Sequence, residues 1–459
     1  MHICFKALGA FYISDISGFI IEMMFKDRRR FMIVSFSLYM FMYMTLLTAV
    51  NHEASGIVDG KAQLILYYVD MFCVTMGFVF YAVFYDAYKK RSFPLYAAII
   101  NTIVLLSALL IKIEAVFMVL APIVGTFLGF FGGFFYTCMA LSLLDDRKPG
   151  MTMGIAMSLA VFMQWLLQIC IGIPILYIFI IDVCVMLFFI CCKERFESKK
   201  SSLKVSAVQM IDILPIFITA GIIFLVFCFD SRMENILTAQ QFETVDIYTW
   251  PRLFLIPGYL GFGYFHDRFK GLYDQLSVLM AALLSIISLI LLSAGLYLNL
   301  AMIIFYLELG LTISYYNLVF WRISLNKKHQ SFWACMGRII DGGVSIILAL
   351  FWKIDFSLSI EIIINILVII MIVILIVVEN RNRITENRKP DLEEFIRKYE
   401  LTDREKDVFY ELLKPEAKVE QMAEELFISR RTLQRHISSI YEKCGVSSRV
   451  GLITLIYKE

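Results

Sequence analysis

The chain is short of charge. Asp, Glu, Lys and Arg make up 18% of its 459 residues, against about 25% in soluble domains. Apolar residues make up 60%, against about 45–50% in soluble domains, and the mean hydropathy is +0.75. It also lacks a Cys-x-x-Cys pair. Of its ten cysteines, Cys73, Cys138, Cys170, Cys184, Cys228 and Cys335 lie inside apolar runs, where cysteine acts as a small hydrophobe. That excludes a disulfide framework or a sulfur metal site, and Cys191-Cys192 read as helix filler. No small-residue cleavage site follows the first apolar stretch, which argues against a removable leader. A Walker loop, a zinc-protease helix, a nucleophile elbow and paired carboxylates at a plausible site are all missing, so an enzyme has little support and no cofactor is expected. The formal net charge of +2 says little, because the charges are segregated. The first 378 residues hold long apolar runs, and the tail from Glu379 is densely charged. Two regions of different class are therefore expected.

Apolar runs of the ~20 residues needed to cross a bilayer recur near 31–50, 64–85, 95–111, 116–144, 151–171, 173–192, 210–229, 250–265, 276–296, 300–321, 332–352 and 357–378. Each must be a helix, because in lipid every backbone N–H and C=O needs an internal partner. The loops test this count of twelve. Basic residues gather before the first span (Lys26, Arg28, Arg29, Arg30) and after the second (Lys89, Lys90, Arg91), fourth (Arg147, Lys148), sixth (Lys193, Arg195, Lys199, Lys200, Lys204), eighth (Arg268, Lys270) and tenth (Arg322, Lys327, Lys328). The alternate loops carry only Lys61, Lys112, Arg232 and Lys353. By the positive-inside rule both chain ends face the cytoplasm. Residues 1–25, which include Asp15 and Glu22, read as an interfacial helix or irregular start rather than a thirteenth span.

The halves resemble each other at an offset of about 182 residues, the mark of a parallel repeat. Ala82-x-x-x-Asp86 with Lys89-Lys90-Arg91 follows span two, and Gly263-x-x-x-Asp267-Arg268 with Lys270 follows span eight. Met153-Gly154 opens span five, and Met336-Gly337 lies early in span eleven. This small-x-x-x-Asp-basic pattern resembles the signature of the major facilitator superfamily over residues 31–378. The resemblance implies that the small residue lets helices approach and that the Asp fixes a gating charge network. The first copy departs from the pattern, with Ala82 for glycine and no basic residue directly after Asp86. Gly125, Gly129 and Gly133, four apart on span four, read as a packing stripe.

Charges at mid-membrane depth are costly and usually face a cavity or a partner. Asp70, Asp182, Glu308, Arg338, Asp341 and Glu361 qualify, with Asp212, Asp230 and Arg252 nearer span ends. The repeat offset relates Asp70 to Arg252, which predicts that they face each other across the pseudo-twofold axis. Arg338 and Asp341, three apart, are placed to neutralise one another. A midplane pocket needs a few polar groups among aromatics. The candidate effector-binding residues are Asp70, Arg252, Glu308, Arg338, Tyr67, Gln164, Trp165 and Tyr316, with Tyr68, Gln168, Tyr315 and Asn317 beside them. The alternative is satisfied interhelical pairs among ordinary membrane aromatics. Nothing names the effector.

From about Asp391 the pattern turns soluble and helical. Residues 391–400 read as a short amphipathic helix. Thr402 and Glu405 have capping-box spacing, and Val408, Phe409, Leu412 and Leu413 make the apolar face of the next helix. Pro415 breaks the chain. Val419, Met422, Ala423 and Leu426 stripe another helix, and Ser429 is an N-cap. The helix that follows puts Leu433, Ile437, Ile440, Tyr441 and Cys444 on one side and Arg431, Gln434, Arg435 and Ser438 on the other. Residues near its N-terminus would meet base edges in the major groove of double-stranded DNA, where Arg suits guanine and Gln suits adenine. Arg430, Thr432, His436 and Lys443 suit phosphates. Residues 391–459 hold twelve Lys/Arg and fourteen Asp/Glu, but between Ser429 and Arg449 only Glu442 opposes the basic residues.

The motifs Leu401-Thr402-x-Arg404-Glu405, Ala423-Glu424-Glu425-Leu426-Phe427-Ile428-Ser429, Thr432-Leu433-x-x-His436-Ile437 and Ile440-Tyr441-x-Lys443-Cys444-Gly445-Val446-x-Ser448-Arg449 run in order through the tail. Together they resemble the LuxR-type helix-turn-helix family. The resemblance implies a four-helix domain that binds DNA as a homodimer, with the last helix at the interface. Val450, Leu452, Ile453, Leu455 and Ile456 of that helix suit one face on the core and one on a partner. Two departures stand out: Pro415-Glu416-Ala417 replaces a Gly-x-Ser/Thr turn, and Gln434 stands where Lys is common.

The expected architecture is therefore all-α. It comprises an N-terminal segment at 1–30, six-helix bundles at 31–192 and 210–378 joined by a linker at 193–209, a charged linker at 379–390, and a helix-turn-helix domain at 391–459. The function this implies is a one-component regulator in the bacterial inner membrane, surrounded by lipid, with a small molecule controlling DNA binding. No receiver domain precedes the tail. The alternative is an active transporter carrying its own DNA-binding domain, and a helical bundle that binds protein partners is the remaining reading of the tail.

Overall fold

The computed structural model describes residues 27–458 except 59, 89–92, 143–145, 171–178, 189–206, 241–249, 270–273, 295–297, 352–357, 388–391 and 415–418. Several expectations fall outside the described residues: the reading of 1–25, the basic cluster Lys89-Lys90-Arg91, Cys191-Cys192 and the turn at Pro415. Described residues form two compact units, Met1–Ile376 and Val377–Glu459.

In the first unit every described element is helical, as lipid demands of any segment that must satisfy its own backbone. In chain order these are α1 (Arg28–Ile57), α2 (Gly60–Tyr88), α3 (Phe93–Leu110), α4 (Glu114–Ser142), α5 (Pro149–Cys170) and α6 (Phe179–Phe188). The second set is α7 (Met210–Gln240), α8 (Leu255–Arg268), α9 (Asp274–Ala294), α10 (Leu298–Ser324), α11 (Gln330–Phe351) and α12 (Leu358–Asn387). Among the described residues nine stretches are long and apolar enough to cross a membrane, and Ile99–Ala108 within α3 and Phe179–Phe188 (α6) are shorter apolar helices. The expected span at 250–265 begins as a 3-10 turn, Pro251–Phe254, before α8. Pro251 opens that turn at a position whose missing N–H has no intrahelical role. The last span is longer than the apolar run suggested. α12 stays helical to Asn387, so most of the expected linker at 379–390 is helix.

Glycine sets how close these helices lie. Gly77 on α2 and Gly129 on α4 face each other's backbone, and an added Cβ on either would collide with it. The same close approach recurs between the sets. A Cβ on Gly150 of α5 would stand 2.6 Å from the Gly263 carbonyl oxygen on α8, and one on Gly154 would stand 2.7 Å from that of Tyr259. A Cβ on Gly337 of α11 would stand 2.5 Å from the Tyr316 ring. Small residues permit this contact where lipid offers no hydrophobic drive between helices.

The second unit has its own core. Phe395, Ile396, Val408, Phe409, Leu412, Met422, Ala423, Leu433, Ile440, Cys444, Leu452 and Ile456 pack together out of water. They come from α13 (Leu392–Lys398), α14 (Asp403–Leu413), α15 (Val419–Glu425), α16 (Arg430–Cys444) and α17 (Arg449–Lys458).

Candidate DNA interface and intramembrane clusters

Helix α16 is fixed at both ends. Ser429, extended at the N-cap, accepts the Thr432 N–H at 3.1 Å. At the other end Gly445 takes φ +66°, the left-handed conformation glycine adopts without strain. Its N–H bonds to the Glu442 carbonyl and that of Val446 to the Tyr441 carbonyl, at 3.1 and 2.9 Å, the paired bonds of a Schellman motif. Two further helix ends use the same device without glycine. Glu400 (φ 48°) closes α13, and Phe427 (φ 53°) closes α15. Phe427 is 94% exposed.

Between those caps α16 has two faces. Leu433, Ile440 and Cys444 are buried against α14 and α15, while Arg431, Gln434, Arg435 and Ser438 are exposed. The outward set falls within two turns, as side chains entering one groove must. Thr432 shares a hydrogen bond with Ser429, His436 is half-buried, and Arg430 is paired with Glu420 at 2.9 Å.

Lys443 is placed differently from the phosphate contact the sequence suggested. Its ammonium donates to the Glu405 carboxylate at 2.6 Å and to the Glu400 carbonyl at 2.9 Å. The reason lies in Glu405, which is almost fully buried. Its Oε2 accepts from the Thr402 N–H and hydroxyl, completing the capping box of α14, and its Oε1 accepts from Ser439 at 2.6 Å. A carboxylate out of water needs a counter-charge, and Lys443 supplies it. Burial raises the Glu405 pKa, but the bonds from Lys443, Ser439 and Thr402 outweigh it and hold the group down to about 2. Arg449 likewise faces inward, with Nε donating to the Leu412 carbonyl at 2.7 Å and its guanidinium also reaching that of Lys414. On α17 Leu452 and Ile456 are buried, whereas Val450 is 74% exposed.

In the membrane unit the expected effector residues divide among separate places. Arg338 is the centre of one. Its Nε donates to the Tyr136 hydroxyl at 2.8 Å and its Nη1 to Asp341 Oδ2 at 3.0 Å, which also accepts from the Tyr316 hydroxyl at 3.1 Å. The guanidinium lies over the Tyr43 ring at 5.4 Å from its centroid and over that of Tyr136 at 5.9 Å. This cluster joins α1 and α4 of the first set to α10 and α11 of the second. Tyr43 and Tyr136 were absent from the sequence-based set, because in a chain with 23 tyrosines spacing does not single them out.

Arg252 and Gln164 form a second bridge between the sets. Arg252 Nη1 donates to Gln164 Oε1 at 3.1 Å, and Gln164 Nε2 donates to Thr48 at 3.2 Å. The expected pairing of Arg252 with Asp70 is not what forms. Asp70 is buried on α2, where its backbone packs on α4 at Gly125, and its Oδ1 has no hydrogen-bond partner. The offset relates positions in two repeats, but the helix each packs on decides where its side chain ends. Tyr67 is exposed and packs edge-on against Tyr68, and Trp165 rests on Phe162 with its indole N–H unpartnered. Glu308 is fully buried on another side of α10, near Ser285 and Asp230.

The repeated motif does have a defined task. Asp267 accepts the N–H groups of Gly150 and Met151 at 2.8 and 2.7 Å, so a carboxylate on α8 caps the positive end of α5 beside the Gly150–Gly263 contact. Asp146 reaches both Thr152 and Arg29, the latter at 3.6 Å. Asp274 holds His266 at 2.8 Å and Arg322 at 2.7 Å, and the buried Lys327 pairs with Asp212 at 2.5 Å. The side chain of Asp86 in the first copy lies outside the described residues.

Comparison with known proteins separates the same two parts. The family described as "Bacterial regulatory proteins, luxR family" matches residues 399–456. The spore germination protein GerE of Bacillus subtilis (strain 168) is 46% identical over 56 residues, 12% of this chain and 74% of that protein. Among solved structures, the human organic anion transporter MFSD10 (TETRAN) is similar with a TM-score of 0.54 at 12% identity, covering 76% of this chain and 98% of that one. At that identity the likeness shows the fold alone: the membrane unit has the major facilitator architecture. Through its carboxyl-terminal DNA-binding domain, carried on that membrane unit, the chain belongs to the luxR family of bacterial regulatory proteins.

Proposed function

We propose that the protein is a one-component transcription regulator of the inner membrane, with both ends in the cytoplasm, whose bundle senses a small molecule. The observation that carries the DNA-reading part is the outward face of α16, where Arg431, Gln434, Arg435 and Ser438 are exposed on a helix capped at both ends. Arg431 and Arg435 read guanine edges and Gln434 an adenine, while Arg430, Thr432 and His436 meet phosphates. Lys443 is a structural tie rather than a phosphate contact. Two copies pair through the exposed side of α17, so the operator carries two half-sites.

The effector binds where the two six-helix sets meet, at Arg338, Asp341, Tyr43, Tyr136 and Tyr316, with the Arg252–Gln164 bridge as a second contact. It acts by unequal affinity for two arrangements of the sets. The similar human protein is an organic anion transporter, and an anionic effector would suit the Arg338 guanidinium. The same likeness supports the second reading, an active transporter carrying its own DNA-binding domain. Radiolabelled uptake of organic anions into vesicles separates the two, since a sensor need not turn over substrate.

Selection of genomic fragments on the full-length protein in detergent tests the DNA-reading part. The expected result is an enriched motif with two half-sites that Arg435→Ala loses. Recovery of random fragments by both proteins would overturn the base-reading assignment.

A further inference from the structure

Base reading leaves one side chain at the start of α16 without a task. Phe427 stands two residues before the Ser429 N-cap and is 94% exposed. Its neighbours Leu426 and Ile428 turn inward onto the domain core. The backbone at Phe427 is left-handed, with φ 53°, and among the described residues only Glu400 shares that conformation without being glycine. A single exposed apolar side chain is ordinary. A bulky one held where glycine would be unstrained is not, and such outliers gather at binding sites.

Charge at this end of the helix gives the surface its sign. Arg430, Arg431 and Arg435 are exposed within the first two turns of α16. Glu420 of α15 answers Arg430 at 2.9 Å, and Lys414 answers Glu425 at 2.8 Å. Among the described residues neither Arg431 nor Arg435 has a carboxylate partner. Glu424 is left to oppose them, and Glu442 lies at the far end of the helix. Cations around an apolar ring suit an anionic bilayer surface, where phosphates meet the guanidinium groups and the ring enters the acyl boundary. A protein partner fits less well. In the described part of the domain the only other large apolar side chain so exposed is Val450, on α17, so the ring has no apolar patch round it for a protein to bury.

We propose that the Phe427, Arg431 and Arg435 end of α16 is also a contact for anionic lipid, so that membrane and DNA compete for one face of the domain. Carried on membrane spans, the domain meets headgroups at an effective concentration of about millimolar, so a weak contact suffices. The lipid contact stands without base reading; only the competition rests on the DNA-reading function proposed above.

Residues 391–459 hold no tryptophan, so Phe427→Trp in that fragment, which carries its own core, reports on this position alone. Its emission is expected to shift to the blue on vesicles of phosphatidylglycerol and phosphatidylcholine, and not on phosphatidylcholine alone. Arg431→Ala in the same background should weaken partitioning about fivefold. Val450→Trp, on α17, should show no shift. No shift of Phe427→Trp on anionic vesicles, or an equal one on neutral vesicles, overturns the contact. Competition is read on the full-length protein in nanodiscs with a labelled mixed-sequence duplex. Phe427→Ala, which keeps the Cβ, should bind duplex severalfold more tightly than wild type in anionic nanodiscs and equally in neutral ones. Equal affinities in both overturn the competition. A duplex that binds neither protein in neutral nanodiscs overturns the DNA reading and the competition with it, while the vesicles still decide the lipid contact.

Discussion

Replacing Glu405 with alanine removes four hydrogen bonds and the counter-charge of Lys443 at one stroke. The size of the loss follows from the carboxyl itself. Its ordinary value of 4.5 falls to about 2 in the folded domain. At ~1.4 kcal/mol per pH unit this is worth about 3 kcal/mol. The lost cap is of order 1 kcal/mol and overlaps with it. A domain of this size is stable by only ~3–10 kcal/mol, so the variant should melt roughly 12–24 °C lower. Because the folded value is depressed, the contribution is complete above pH ~4.5 and is lost as the pH falls from there toward ~2. The assay is thermal and urea unfolding of fragment 391–459, followed by circular dichroism at pH 7 and pH 3. That fragment carries its own core. Wild type should lose stability between the two pH values, and Glu405→Ala should start low and change less. Stabilities within ~0.5 kcal/mol of each other at pH 7 would refute the argument.

Other outcomes are expected elsewhere in the chain. Arg435→Ala should weaken specific DNA binding by ~1–3 kcal/mol with the fragment's fold intact, as read by fluorescence anisotropy and circular dichroism. Phe427→Gly should stabilise the fragment by ~1 kcal/mol, since a left-handed residue with a Cβ is strained by about that much; a loss of stability would mean the exposed ring has a packing role. Gly263→Val should abolish a monodisperse full-length protein in detergent, because its side chain meets the Gly150 backbone. Asp267→Ala removes the acceptor for two N–H groups at the start of α5 and should lower the full-length melting temperature, with Asp267→Asn intermediate.

The sequence made the membrane spans legible because lipid leaves a backbone few options. It made the reading helix legible because caps and a 3.6-residue stripe are local. Ser429, Gly445 and the Thr402–Glu405 box all act within a few residues of themselves. What stayed hidden depends on which helices become neighbours. Nothing near Lys443 in sequence announces Glu405, 38 residues earlier. Tyr43 and Tyr136 stand beside Arg338 only after α1, α4 and α11 pack. The Asp70–Arg252 expectation failed on the same ground: a repeat predicts equivalent positions, not which neighbour a side chain meets. Glycine lay between these extremes. The family resemblance carried by Gly263-x-x-x-Asp267 implied a close helix approach and a gating charge network, but not that both residues would meet the first turn of α5.

The central claim is that a polypeptide whose bulk lies in the bilayer reads the chromosome with α16, and chromatin capture of the tagged full-length protein from intact cells tests it most directly. Recovery of a small set of discrete sites sharing one motif, lost in Arg435→Ala while the membrane fraction retains equal protein, is the predicted result. Recovery at no site above background, with the protein present in the membrane, would contradict it.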